Sequence, residues 1–212
     1  MKALIFDMDG VIVDSEPMHT AVTIEVMQSY QVHFTTAEMD RFIGMSMRGF
    51  FSILKKEHGL NAPVEEMIQR QIDGIYRHIK EDPQEPVPGI LEILAYLKAR
   101  KIPAAIASSS PKILIETIVE RLQIADAFSL LLSGEDFPRS KPDPAIYLTA
   151  AEKLGVDPAD CLVIEDSQNG TIAAKEAGMR CIGFQNPHSG QQDLRRADLI
   201  VPVLTQLDLT AF

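Results

Sequence analysis

An apolar run, Ala3-Leu4-Ile5-Phe6, stops abruptly at two acids, Asp7 and Asp9, and a glycine, Gly10, follows at once. Four consecutive apolar residues bounded by acids and glycine read as a short strand buried on both faces, which belongs in a parallel sheet covered by helices. Side chains two apart on a strand share a face. Asp7 and Asp9 are therefore expected to point together from the carboxyl end of that strand. Unpaired, two such carboxylates repel, and one takes up a proton. A metal ion, or a reaction needing one basic and one acidic carboxyl, would justify them.

Further strand-like runs follow at Ala104–Ala107, Leu130–Ser133, Leu162–Ile164, Ile182–Phe184 and Leu199–Val201. Helix-length segments separate most of them. Gly89–Lys101, with Ile90, Ile93, Leu94 and Leu97, and Ile113–Leu122, with Leu114 and Ile118, have helical periods. Pro144–Leu154 and Gly170–Ala177 are alanine-rich helices. Alternating strands and helices predict an α/β fold, a Rossmann-like parallel sheet core flanked by helices, with ligands at the carboxyl ends of the strands. One stretch breaks the alternation. Pro17–Tyr30, Thr36–Ile43, Arg48–His58 and Val64–Lys80 all read as helices, and a proline-stiffened Asp82–Gly89 leads back. Thr36 is a plausible N-cap, with Glu38 one place short of a capping box. The expected organisation is a core of residues 1–14 and 84–212, with residues 15–83 as an inserted α-helical cap domain above the first strand.

Net charge is −10 and the pI about 4.9, which argues against nonspecific binding to nucleic acid or an anionic membrane. No apolar stretch reaches the length of a membrane span and no signal peptide is apparent, so a cytoplasmic protein is expected, monomeric by default. Cys161 and Cys181 open strand-like runs and are expected to be buried structural thiols.

Polar residues gather at four strand ends. Ser108-Ser109-Ser110-Pro111 precedes a helix, where hydroxyls and free N–H groups bind an anion such as phosphate or simply cap the helix. Lys141 lies in the rigid turn Ser140-Lys141-Pro142-Asp143-Pro144. Glu165 and Asp166 end the fourth strand, before Ser167 and Gly170; hard oxygens of this kind suit Mg2+. Four acids with one lysine are unstable without a cation, whereas Mg2+ and a phosphate dianion balance the set. The pattern points to Mg2+-dependent phosphoryl transfer with a carboxylate nucleophile.

These four motifs, in this order, resemble the haloacid dehalogenase superfamily over essentially the full length, in its branch with a helical cap after the first strand. The chain is most similar to the beta-phosphoglucomutase-like sugar phosphatases. The resemblance implies that Asp7 is the nucleophile forming an aspartyl-phosphate, and that Asp9 is the general acid and then base. It implies that Ser108 and the Ser109 amide hold the phosphoryl group while Lys141 bridges it to Asp7. Mg2+ would lie on the Asp7 and Asp166 carboxylates and the Asp9 carbonyl, supported by Glu165 directly or through water. The dehalogenases of the superfamily lack the acid at the position of Asp9, so the implied activity is a phosphatase acting on a small phosphorylated metabolite. A phosphomutase ranks second: the cap turn Gly44-Met45-Ser46-Met47-Arg48 carries Arg48 one position later than the mutases carry theirs. A phospho-accepting receiver domain ranks third, since it has neither the cap nor the Asp7-x-Asp9 spacing. His19 matches a hinge histidine of the family. Lys55, Lys56, Arg70, Arg77 and His78 are expected on solvated helix faces.

Overall fold

The computed structural model describes residues 1–39, 42 and 45–212. Strands β1 (Ala3–Phe6), β2 (Ala104–Ser108), β3 (Leu130–Ser133), β4 (Cys161–Glu165), β5 (Arg180–Phe184) and β6 (Leu199–Val201) form one parallel sheet in the order β3-β2-β1-β4-β5-β6. The order reverses direction at β1 and β4, and the crevice above such a switch point is where this architecture binds ligands.

Strand alternation divides the core in two. Leu4, Phe6, Ile106, Leu162 and Ile164 face helices α5 (Ile90–Arg100) and α6 (Lys112–Arg121). Ala3, Ile5, Ala105, Ala107, Val163 and Cys181 face α7 (Ala145–Leu154) and α8 (Gln168–Glu176), which offer Tyr147, Ala150, Ala173 and Ala174. Small residues on both sides let these two helices lie close to the sheet. Cys161 and Cys181 are free and fully buried, and burial pushes both thiols up, as suits structural residues.

Between β1 and α5 the chain builds α1 (Glu16–Ser29), α2 (Thr36–Met39), α3 (Met47–Glu57) and α4 (Val64–Glu81). Val22, Met27, Phe34, Phe51, Leu54, Met67 and Ile75 are buried among them. The rings of Phe42 and Phe50 meet edge-on at 4.8 Å. Among the described residues this unit contains no strand, so it is the expected helical cap. The start of α2 departs from expectation in one detail. Thr35, not Thr36, takes the capping position before α2: Glu38 accepts from the Thr35 N–H and hydroxyl, each at 2.8 Å, at the three-residue spacing of a capping box. The helix expected over Thr36–Ile43 is described to Met39; beyond it Phe42 is described, while Asp40, Arg41 and Ile43, with Gly44 of the cap turn, lie outside the described residues.

Both crossings between cap and core run side by side. Val13 bridges Pro86, and the Val87 N–H donates to the Ile12 carbonyl at 2.8 Å. A two-strand connection of this kind is a hinge in form. Among the described residues, no helix is long and apolar enough to cross a membrane.

Candidate active site

Strand register fixes the heart of the site. Phe6 pairs with Ile106 on one side and Ile164 on the other, so Asp7 emerges beside Ala107 and Glu165. The Asp7 N–H donates to the Ile164 carbonyl at 3.0 Å. Lys141, from the turn before α7, reaches into this gap. Its ammonium lies 2.5 Å from Asp7 Oδ1, 2.7 Å from Glu165 Oε1 and 2.9 Å from the Ala107 carbonyl, and its side chain is only 6 % exposed. A lysine so placed is no solvated surface charge. Burial alone would lower its pKa; Asp7 and Glu165 outweigh this and raise it.

Glu165 is fully buried and saturated by protein donors. Oε1 accepts from Lys141 and from the Tyr147 hydroxyl at 2.9 Å, and Oε2 accepts from the Ser167 N–H and hydroxyl, both at 2.9 Å. Ser167 also caps α8 by accepting from the Gly170 N–H at 3.0 Å, so one hydroxyl serves helix and site together. A Cβ on Gly170 would stand 1.6 Å from Glu165 Oε1; the bare backbone is what admits the carboxylate.

Asp7, Glu165 and Asp166 each offer an oxygen within 4.8 Å of the others. Three buried carboxylates against one lysine leave an excess of negative charge. Burial, then Glu165 and Asp9, push Asp7 up to about 8 despite Lys141, and burial with Glu165 and Asp7 holds Asp166 well above the usual carboxylate range. Hard, closely set oxygens with unbalanced charge fit a small divalent cation. Asp166 is further held by the buried Ser189 hydroxyl.

Gly10 sits directly beneath Asp166 with φ +76°, and a Cβ there would stand 2.0 Å from Asp166 Oδ2. Gly10→Ala is therefore expected to cost about 1–3 kcal/mol through left-handed strain, before any displacement of Asp166. A thermal melt lowered by several degrees checks it.

Asp9 shares the site with Asp7 but not a partner. β1 ends at Phe6, so the two-residue period does not extend past it. Instead the N–H groups of Val11, Ile12 and Val13 all point at the Met8 carbonyl, a tight turn that rotates Asp9 away from Lys141. Asp9 Oδ2 accepts from Ser110 at 2.6 Å and Ser108 at 3.3 Å; Oδ1 accepts from Ser15 at 2.7 Å and lies 3.6 Å from His19 Nε2. Burial raises the Asp9 pKa, but His19 and the hydroxyls prevail and hold it at about 2. The side chains of Asp9 and His19 keep about a quarter of their exposure, at 23 % each, which limits the cost of desolvation. Burial would lower His19, and Asp9 raises it.

None of the three serines caps α6 through its side chain. Ser108 Oγ accepts from the Ser110 N–H at 3.0 Å, Ser110 Oγ turns to Asp9, and Ser109 is exposed at the end of β2. Ser110, Ser15, Ser189 and Tyr147 all touch site carboxylates. Ser110 belongs to the serine run at the end of β2, whereas the other three carry no signal in the sequence as isolated residues. Asp7, Asp9, His19, Ser108, Lys141, Glu165 and Asp166 come together around the switch point. Arg48 does not join them: on α3 it pairs with Glu65 of α4 at 2.5 Å, both side chains 65 % exposed. Arg70 and Arg77 are about half exposed and paired with Glu66 and Glu25.

A family model described as haloacid dehalogenase-like hydrolase matches residues 4–184. The chain is 34 % identical over 208 residues to hexitol phosphatase B of Escherichia coli (strain K12), covering 97 % of this chain and 93 % of that one. It is 36 % identical over 219 residues to beta-phosphoglucomutase of Bacillus subtilis (strain 168), covering 99 % and 92 %. The solved structure of CbbY from Rhodobacter sphaeroides in complex with phosphate superposes with a TM-score of 0.90 at 21 % identity, covering 97 % of this chain and 96 % of that one. With the family model spanning both the Asp7–Asp9 turn and the Glu165–Asp166 strand end, the chain belongs to the haloacid dehalogenase-like hydrolase family.

Proposed function

We propose that this chain, with residues 15–83 as its cap, is a Mg2+-dependent phosphatase of small phosphorylated metabolites, sugar phosphates foremost, working through an aspartyl-phosphate on Asp7. The observation that carries this reading is the division of the two aspartates: Asp7 is clasped to a buried lysine in the carboxylate cluster, Asp9 to a histidine and hydroxyls. The name of the 34 % identical relative, a hexitol phosphatase, supports it.

Asp7 Oδ1 is held by Lys141, and among the described residues no protein donor bonds Oδ2. Oδ2 attacks phosphorus, the P–O bond to the alcohol breaks, and the alcohol oxygen receives a proton from Asp9. Ser108 and the Ser109 amide bind the equatorial oxygens, and Lys141 offsets their charge. Asp9 is ionised in the ligand-free site; a phosphate dianion arriving beside it favours the protonated form that the first step needs. Asp9 then takes a proton from the water that cleaves the acyl phosphate. Mg2+ would be held by Asp7 and Asp166 with the Asp9 carbonyl, and when bound it neutralises charge on the transferring group. Glu165, whose oxygens already accept four protein hydrogen bonds, positions Lys141 and supports the metal side from there.

The second reading is a phosphomutase, favoured by the 36 % identity to beta-phosphoglucomutase. A mutase needs a cation for a second phosphate in the cap; Arg48, the candidate, is paired with Glu65. A phosphate-release screen over sugar phosphates with Mg2+, beside an assay for isomerised glucose 1-phosphate primed with a bisphosphate, separates the two. Phosphate release that vanishes with a chelator and returns with Mg2+ is the expected result; isomerisation without release would overturn the phosphatase reading.

A further inference from the structure

The cap holds a half-open cavity of about 130 Å³ beside α1, α2, α3 and α4, lined by Met45, Met47, Phe50 and Phe51 among others, with Glu16, His19, Thr23 and Gln71 as its polar members. That is close to the roughly 150 Å³ of an engineered cavity that holds benzene, so a six-carbon fragment fits. One atom in its wall is anomalous. Gln71 is 3 % exposed, and its Oε1 is a buried side-chain oxygen with no hydrogen-bond partner among the described residues.

The orientation of that amide is fixed by its surroundings. Nε2 donates to the His19 carbonyl and to Thr23 Oγ1, each at 3.1 Å. Thr23 Oγ1 itself donates to the same carbonyl at 2.9 Å, so it is free only to accept from Gln71. Turning the amide over would set Oε1 against an acceptor-only carbonyl. Both partners of Nε2 thus demand a donor, and Oε1, on a side chain that lines the cavity, is left without one among the described residues. An unmet buried acceptor costs about 1–3 kcal/mol, a cost offset when a ligand supplies the donor.

The surroundings say what that donor belongs to. The thioethers and aromatic rings around it favour C–H surface, and Oε1 asks for one hydroxyl or similar neutral donor. The cavity also has a fixed relation to the chemistry. His19 carries Gln71 and Thr23 on its carbonyl and meets Asp9 Oδ1 with its ring at 3.6 Å. The portion of a substrate lying next to Asp9 is the alcohol portion whose oxygen Asp9 protonates. His19 is itself part of the cavity lining, so an alcohol portion extending past His19 would meet the cavity.

Resting on the phosphatase reading, we infer that Gln71 is a specificity-determining residue: its Oε1 accepts a hydrogen bond from a hydroxyl of the alcohol portion, selecting polyhydroxylated phosphate esters. The test compares the wild type with Gln71→Met on glucose 6-phosphate and other hexose phosphates, and on para-nitrophenyl phosphate, whose alcohol portion has no further hydroxyl. The expected result is a ten- to hundredfold fall in kcat/KM for the hexose phosphate the wild type uses best, mainly through KM, with para-nitrophenyl phosphate within about twofold. The melting temperature is expected to stay within a few degrees, because the orphan acceptor is gone but so are the two hydrogen bonds of Nε2. Gln71→Leu, of different shape, repeats the comparison. Equal losses on both substrates, or a lowered melt with loss of both, would assign Gln71 to packing and overturn the inference; unchanged hexose phosphate turnover would overturn it too. A wild type that cleaves para-nitrophenyl phosphate but no hydroxylated ester refutes the inference and leaves the phosphatase reading standing. A wild type that cleaves no phosphate ester refutes both.

Discussion

Asp7→Asn is expected to lower turnover of any phosphate ester by roughly 10⁴-fold or more, since removing a covalent nucleophile leaves only binding and electrostatic assistance. The fold should survive. Asp7 is one of two carboxylates on Lys141, and burial already pushes it up to about 8, so its charge contributes little to stability in the ligand-free state. Lys141 keeps Glu165 at 2.7 Å and the Ala107 carbonyl at 2.9 Å. A melting temperature within a few degrees of wild type, together with lost phosphate release, is the expected pair of results. Intact mass after rapid quenching adds a direct check: a phosphate adduct should form on the wild type and be missing from the variant. Wild-type activity in Asp7→Asn would remove the nucleophile from the scheme altogether.

Much of this site could be read in the sequence because its residues sit at strand ends, where an apolar run stopping at acids is a strong local signal. Asp7, Glu165 and Asp166 were placed by that signal alone, and parallel pairing of β1 with β4 sets Asp7 beside Glu165 without further information. The cap was legible as helices for the opposite reason, a long interval with no alternating pattern. What the sequence withheld is long-range. Ser110 lies 101 residues from its partner Asp9, Tyr147 18 from Glu165, and Ser189 23 from Asp166. The serine run marks Ser110 as an anion or cap residue but not as the partner of Asp9; nothing local marks Tyr147 or Ser189, and the same hydroxyl types serve elsewhere as ordinary caps, as Ser46 does for α3. Gln71 was hidden in the same way, as one polar residue on an otherwise amphipathic helix, and only the packing of α4 on α1 shows that its oxygen lacks a partner. The shift of the α2 cap from Thr36 to Thr35 shows the limit at short range: adjacent threonines are alike to composition, and only Glu38 distinguishes them.

Asp9→Asn is expected to separate substrates by the basicity of their leaving groups. An alkoxide leaving from a sugar phosphate needs a proton in the transition state, whereas para-nitrophenolate leaves without one. Loss of a positioned general acid costs roughly 10²–10⁴-fold where the proton is needed, and much less where it is not. The substitution is nearly isosteric, and the amide oxygen can still accept from Ser110 or Ser15, so the turn over Met8–Val13 should stand. It also has a spectroscopic signature independent of turnover. The Asp9 carboxylate is the group that holds His19 above its ordinary value of 6.5, against the opposing effect of burial. With that charge removed, burial acts alone but for the weaker field of Glu16, and the His19 ring should titrate at lower pH than in the wild type. In the wild type His19 is thus the protonated partner of an ionised Asp9 up to a higher pH than free histidine would be, and in Asp9→Asn that window shrinks from its alkaline side. Imidazole resonances followed across pH 5–8 read this directly. A His19 titration unchanged by the substitution would break the Asp9–His19 pairing, and equal losses on sugar phosphate and para-nitrophenyl phosphate would take the role of acid from Asp9.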